Sequence, residues 1–159
     1  MAWEIYLDDA RGNRLNLLDS ISYANFARVL NNPGYFEIGL PGTLAQQFAG
    51  VDRIVEIWRG RGSNRRLEFC GLLRRWTFVT DTEGKESVIL SGPGMTGLLQ
   101  RRIIAYAAGS VYANKTAYAD DLMKAIIREN FGSSATDTDR NLAAYNFTVA
   151  ADLGAAPSI

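Results

Sequence analysis

An α+β fold dominated by antiparallel β-structure is predicted by three features of the 159-residue sequence. Between residues 3 and 90, run after run alternates apolar and polar side chains, the period of half-buried strands. Short turns rich in Gly, Asn, Asp and Pro separate the runs, which joins neighbours antiparallel without crossover helices. Helical periodicity is confined to the last third, where residues 116–131 carry the clearest apolar stripe. The expected organisation is a β-rich domain over 1–110 and a helix-containing extension over 111–159, the start of a second domain or a shortened one.

Each element has its own warrant. Residues 3–7 alternate as a strand, residues 8–13 supply a turn, and residues 14–18 return as the hairpin partner. Residues 21–30 keep period two, with Ile21, Tyr23, Asn25, Ala27 and Val29 on one face and Ala24, Phe26 and Leu30 on the other, as in a strand partly buried on both sides. Asn31-Asn32-Pro33-Gly34 suits a type II turn, and residues 35–40 follow as the partner strand. Thr43 is placed to cap one helical turn over 43–48. Residues 53–59 form a charged strand, 60–64 a glycine-rich tip, and 66–80 one long strand with a bulge at Gly71. Residues 81–85 turn the chain into the strand around 88–90. Beyond it, Leu98, Leu99, Ile103 and Ile104 fit a helix, or the chain returns as a strand through 103–106. The helix over 116–131 has Thr116 as N-cap, an Asp120–Lys124 pair, an apolar stripe through Ala119, Leu122, Met123, Ile126 and Ile127, and Gly132 as its stop. Residues 146–150 read as a last short strand, and 151–159 carry little pattern.

Composition excludes several functions. The chain has 17 basic and 17 acidic residues, so no net positive charge draws it to nucleic acid. The absence of histidine removes Ser-His-Asp and Cys-His catalysis and histidine-ligated zinc. Cys70, the only cysteine, sits in an apolar run and reads as a small buried thiol. No apolar run is long enough to span a membrane, and no signal peptide opens the chain, so synthesis in the cytoplasm is expected. Gly92, Gly94 and Gly97 match the spacing of a dinucleotide loop, but the antiparallel strands upstream are the wrong context, and no lysine follows for phosphate. The reading preferred for Gly92, Pro93, Gly94 and Gly97 is a strand-to-helix corner in which the glycines relieve a tight turn and Thr96 caps the helix. The carboxylates Asp8/Asp9, Asp120/Asp121 and Asp137/Asp139 are assigned to turns and helix starts, so no catalytic residue, metal ligand or cofactor is expected. Arg59, Arg61, Arg65 and Arg66 gather at one hairpin tip, read as a solvated tip with edge-protecting charge. Seven Tyr, seven Phe and three Trp exceed the needs of a small β-meander, which points to strands covered by another subunit.

The order of these features resembles the N-terminal hub domain of long-tailed bacteriophage tail-tip or baseplate hub proteins, a family of minor tail proteins. The resemblance is carried by Trp3-Glu4-Ile5-Tyr6-Leu7-Asp8, by Tyr23-Ala24-Asn25-Phe26-Ala27-Arg28-Val29-Leu30-Asn31-Asn32-Pro33-Gly34-Tyr35-Phe36-Glu37-Ile38, and by Leu40-Pro41. It continues through the charged strand over 54–59, Phe69-Cys70-Gly71-Leu72-Leu73, Leu90-Ser91-Gly92-Pro93-Gly94, Leu98-Leu99-Gln100-Arg101-Arg102, the helix, and Phe147-Thr148-Val149. It implies a β-barrel-like tail-hub domain with a covering helix near the C-terminus, assembled as a ring, usually a trimer, in the virion. Its implied partners are the tail tube or distal tail protein, the tape-measure protein and receptor-binding or fibre proteins, with DNA passing transiently through the channel. The interface candidates, chosen on aromatic character and expected strand placement, are Tyr23, Phe26, Tyr35, Phe36, Trp58 and Trp76. Two other readings stand beside it: a stand-alone carbohydrate- or receptor-binding β module, and a nucleotide-binding enzyme.

Overall fold

The computed structural model describes residues 2–43, 52–101, 116–135, 137–142 and 148–152. The chain divides into two compact units, Met1–Arg101 and Arg102–Ile159. The division expected at 110/111 lies outside the described residues, as do most of the helical turn expected over 43–48, the segment 103–106 and the start of the strand expected over 146–150.

Eight strands build the first unit: β1 (Trp3–Asp8), β2 (Arg14–Leu17), β3 (Tyr23–Val29), β4 (Asn32–Pro41), β5 (Arg53–Arg59), β6 (Arg66–Leu73), β7 (Arg75–Thr80) and β8 (Glu86–Pro93). They form two four-stranded sheets, one in the order β2-β1-β5-β6 and the other β3-β4-β8-β7. Every pairing is antiparallel. Alternation explains how the sheets meet. Ile5 and Leu7 lie opposite Ile57 and Val55 in the first sheet, and Ile38 and Leu40 lie opposite Leu90 and Val88 in the second. All eight are buried in one cluster with Leu18, Phe36, Phe69 and Leu73. The result is a mainly antiparallel β fold with two layers around a shared core, to which each buried aliphatic or aromatic side chain contributes about 1.5–3 kcal/mol. The sheets are not closed into a barrel.

Three local expectations are corrected. The long strand over 66–80 is two strands in different sheets, because the chain crosses over at Arg74, whose N–H donates to Ser91 O at 3.1 Å. The bulge falls at Glu68, where Ile57↔Phe69 gives way to Trp58↔Leu67, and Gly71 instead approaches the other sheet through a bridge to Gly94. The reversal between β3 and β4 lies at Leu30-Asn31, with Asn31 at φ 59°, and Pro33-Gly34 forms an irregularity inside β4. Proline has no N–H for the ladder, and Gly34 at φ 70° takes the left-handed conformation that closes the gap against Ala27. β3 is an edge strand whose only neighbour in the sheet is β4, with Phe26 on its core face and Ala27 on its outer face half-buried and the rest exposed.

The corner after β8 leads into a short helix, α1 (Gly97–Gln100), and Thr96 makes no side-chain capping bond. Gly97 and Leu98 instead donate to the carbonyls of Gly94 and Met95 at 2.8 and 3.0 Å, so backbone alone closes the turn. Gly92, Gly94 and Gly97 all have ordinary negative-side backbone angles. Their glycines answer crowding: a Cβ on Gly92 would run into the Leu72 carbonyl, one on Gly94 into the Pro33 carbonyl, and one on Gly97 would lie 3.1 Å from Pro93 Cβ.

In the second unit α2 (Ala119–Phe131) begins after Tyr118, and Thr116 is not its cap. The first turn carries Asp120 and Asp121, whose charge suits a helix N-terminus, and Lys124 pairs with Asp120 at 2.6 Å. Gly132 ends the helix with its N–H shared between Arg128 O and Ile127 O, in extended rather than left-handed backbone. Met123, expected in the apolar stripe, is exposed. The C-terminal end is secured by polar contacts: Asn130 is buried and donates to Ile126 O at 2.9 Å, Arg140 donates to Asn130 at 3.0 Å, and Arg128 grips Asp152.

Candidate interaction surface

The most unusual surface of the first unit is the outer strand of the second sheet. In β7, Trp76 and Phe78 lie directly opposite Leu90 and Val88, and so point to the core side of the sheet. Leu90 and Val88 are fully buried, whereas Trp76 is 46% and Phe78 56% exposed. The second layer ends short of them. Their rings pack edge to face at 5.4 Å and 89°, a preferred aromatic geometry, so the pair is held as a ready-made apolar knob. Val79 is exposed as well.

At the opposite edge of the same sheet, beside β3, the sandwich gapes. A cleft of 630 Å³ is lined by Trp3, Leu17, Leu18, Ile21, Ala24 and Phe26, with Asp19 also on its lining; the Glu4 carboxylate lies on the other face of β1, against Tyr6 and Arg65. An aromatic file runs from its mouth into the core: Trp3 to Phe26 at 6.0 Å, Phe26 to Phe69 at 5.5 Å, Phe69 to Phe36 at 6.1 Å.

The six interface candidates separate on this frame. Trp76 is on the knob and Phe26 in the cleft. Tyr35 is exposed on the outer face of β4, opposite Pro93. Tyr23 is spoken for by its own sheet, since its ring lies over Gly39 and its hydroxyl donates to Glu37 at 2.8 Å. Desolvation, and after it that carboxylate, push the phenol upward from its usual pKa. Trp58 is half-buried beneath the Arg65 guanidinium, 4.3 Å from its ring, and donates to Glu56 at 2.8 Å. Phe36 is a core residue, 1% exposed, with no surface to offer a partner. Phe78, Trp3 and Leu17 were missed. Phe78 had a signal, two positions from Trp76 in an alternating strand.

Charged residues on this unit mostly satisfy one another. Glu68, displaced outward by its bulge, gathers three arginines: Arg28 at 2.9 Å, Arg59 at 2.6 Å and Arg66 at 2.5 Å. Arg65 pairs with Glu4 at 3.0 Å. The arginine-rich tip is thereby bound to carboxylates, with Arg61 exposed. Asp9 accepts N–H bonds from Arg11 and Asn13 in its turn, and the Asn13 contacts hold its carboxyl below the usual range. Asp8 is the opposite case. It is buried, 3.6 Å from Arg14 Nε, and desolvation together with the charge of Glu56 raises its pKa despite that arginine.

Cys70 is partly buried, and desolvation pushes its thiol up to about 11, which leaves it a poor nucleophile at neutral pH. Among the described residues, no three His, Cys, Asp or Glu side chains are grouped as metal ligands would be. Among them, too, no helix is long and apolar enough to cross a membrane. Together these features define a two-sheet β module with an apolar knob on one edge and an apolar cleft on the other. No protein-family model matches the chain, and no curated protein matches its sequence.

Proposed function

We propose that the chain is a structural assembly protein, a hub component of a bacteriophage tail tip or baseplate that works without turnover or cofactor. The observation that carries the assembly reading is the Trp76–Phe78 pair, held in register with the core yet uncovered by the second layer. Apolar surface of this kind on an unpaired strand marks a protein-binding site and is an aggregation liability unless covered. In this reading neighbouring subunits cover it, a ring favoured as a trimer gives the barrel-like closure that one chain lacks, and the ring lines a DNA exit channel. It links the tail tube or distal tail protein and the tape-measure protein to receptor-binding or fibre proteins in the virion. Balanced charge and internally paired arginines suit a wall past which DNA slides without sticking. The tail assignment itself is supported by the sequence resemblance.

Solution mass by light scattering, at several concentrations and two salt levels, tests the assembly reading. A trimer or larger ring, little changed by salt, is the expected result. The second reading, a stand-alone carbohydrate- or receptor-binding module, draws on the same exposed aromatics, since sugars stack on such rings. A monomer at every concentration that binds glycans through Trp76 would establish that alternative instead.

A further inference from the structure

We infer that copies of this chain join head to tail, β7 of one laid along β3 of the next, with the Trp76–Phe78 knob seated in the neighbour's cleft. The inference rests on the assembly reading above and adds which surfaces meet. Knob and cleft lie at the two open edges of a single sheet. That sheet has four strands of alternating direction, so its edges β3 and β7 run oppositely. A copy brought up head to tail therefore presents β3 antiparallel to β7, and one continuous antiparallel sheet passes from subunit to subunit.

The faces agree as well. Trp76 and Phe78 are on the core side of β7, opposite Leu90 and Val88. Ala24 and Phe26 are on the core side of β3, opposite Ile38 and Phe36. Joining the edges in an even register keeps the apolar sides contiguous, whereas a one-residue slip would turn the knob to the wrong face. β7 is suited to pairing: it is regular against β8 over all six residues and carries neither proline nor bulge. The edge strand β2 of the other sheet has only four residues and an irregular register.

The occupant is a second copy because the required parts are both on this chain. Two aromatics bury about 300–500 Å² between them, and because Trp76 and Phe78 are already about half covered, roughly half of that is left for a partner. That is below the roughly 1,200 Å² of a stable interface, so strand pairing must add the remainder and association is expected to depend on concentration. The joint uses two different surfaces, so every open assembly keeps one free knob and one free cleft until a ring closes.

Sedimentation velocity over a wide concentration range tests this on four samples of the full chain: wild type, Trp76→Ala/Phe78→Ala, Ala24→Arg, and an equal mixture of the two variants. All three altered positions are exposed, and far-UV circular dichroism with a melting curve verifies the fold. The wild type is expected to pass beyond dimer, and each variant alone to stay monomeric. The mixture is expected to stop at a heterodimer, since it holds one intact knob and one intact cleft. A mixture that stays monomeric, or an Ala24→Arg variant that assembles normally, overturns the head-to-tail joint. Assembly of both variants like wild type also overturns it while the assembly reading stands, and a wild type monomeric at every concentration overturns both.

Discussion

Asp8 is a carboxylate that the fold tolerates at a cost. Its pKa is raised by burial and by Glu56, so the folded state holds the proton more tightly than the unfolded chain. Its contribution to stability is therefore present below the usual carboxylate pKa and is lost as pH rises through the folded value. Asp8→Asn, which keeps the shape without the buried charge, is expected to melt no lower than wild type at pH 7, with the gap narrowing as the pH falls below 4 (thermal melts at both pH values). Cys70 follows the same sign for a thiol: stability is expected to decline between pH 9 and 11 as the unfolded chain ionises first. Alkylation at pH 8 should be markedly slower in the native protein than in denaturant, and equal rates would show an open thiol. Cys70, expected to be buried from its apolar neighbours, is only partly so, because it lies opposite Glu56 and outside the core cluster. The burial of Phe36 could not be told from the exposure of Phe78, because both sit in alternating strands and only the number of layers above each strand separates them.

At the scale of elements, period two located the strands but not their sheets. The run from 66 to 80 alternates with little interruption, yet it serves one sheet up to Leu73 and the other from Arg75. The crossing at Arg74 is fixed by its backbone bond to Ser91 and its ion pair with Asp52, partners far away in sequence. The same non-local cause hid the edge status of β3 and β7, and with it the knob and cleft. Trp58 and Trp76, equal candidates in the sequence, are expected to part in experiment. Trp58→Ala removes a ring stacked under Arg65 and should lower the melting temperature, while Trp76→Ala should leave it nearly unchanged and weaken self-association. Paired melting and light-scattering measurements decide this, and equal effects on both would make Trp76 an ordinary packing residue. The helix stop at Gly132 was legible, but the caps expected at Thr96 and Thr116 were not realised: backbone turns close the start of α1, and α2 begins after Tyr118, two residues beyond Thr116.

For the whole molecule, balanced composition conceals an uneven arrangement. Three arginines share Glu68, so removing one charge exposes a patch that the net count does not reveal. Wild type is expected to elute from a heparin column at low salt. Glu68→Gln should shift elution to higher salt, because guanidinium groups released from the carboxylate become available to sulfate, and coincident elution would mean that the patch does not reach polyanions.

The contact between Gly92 and the Leu72 carbonyl also bears on how the chain finds its structure. If β8 were to zip onto β4 one residue out of step, Ser91 or Pro93 would arrive at that carbonyl carrying a Cβ, and the corner could not close. Gly92 beside the Leu72 carbonyl and Gly94 beside the Pro33 carbonyl are thus the points at which a slipped register of β8 meets a steric penalty.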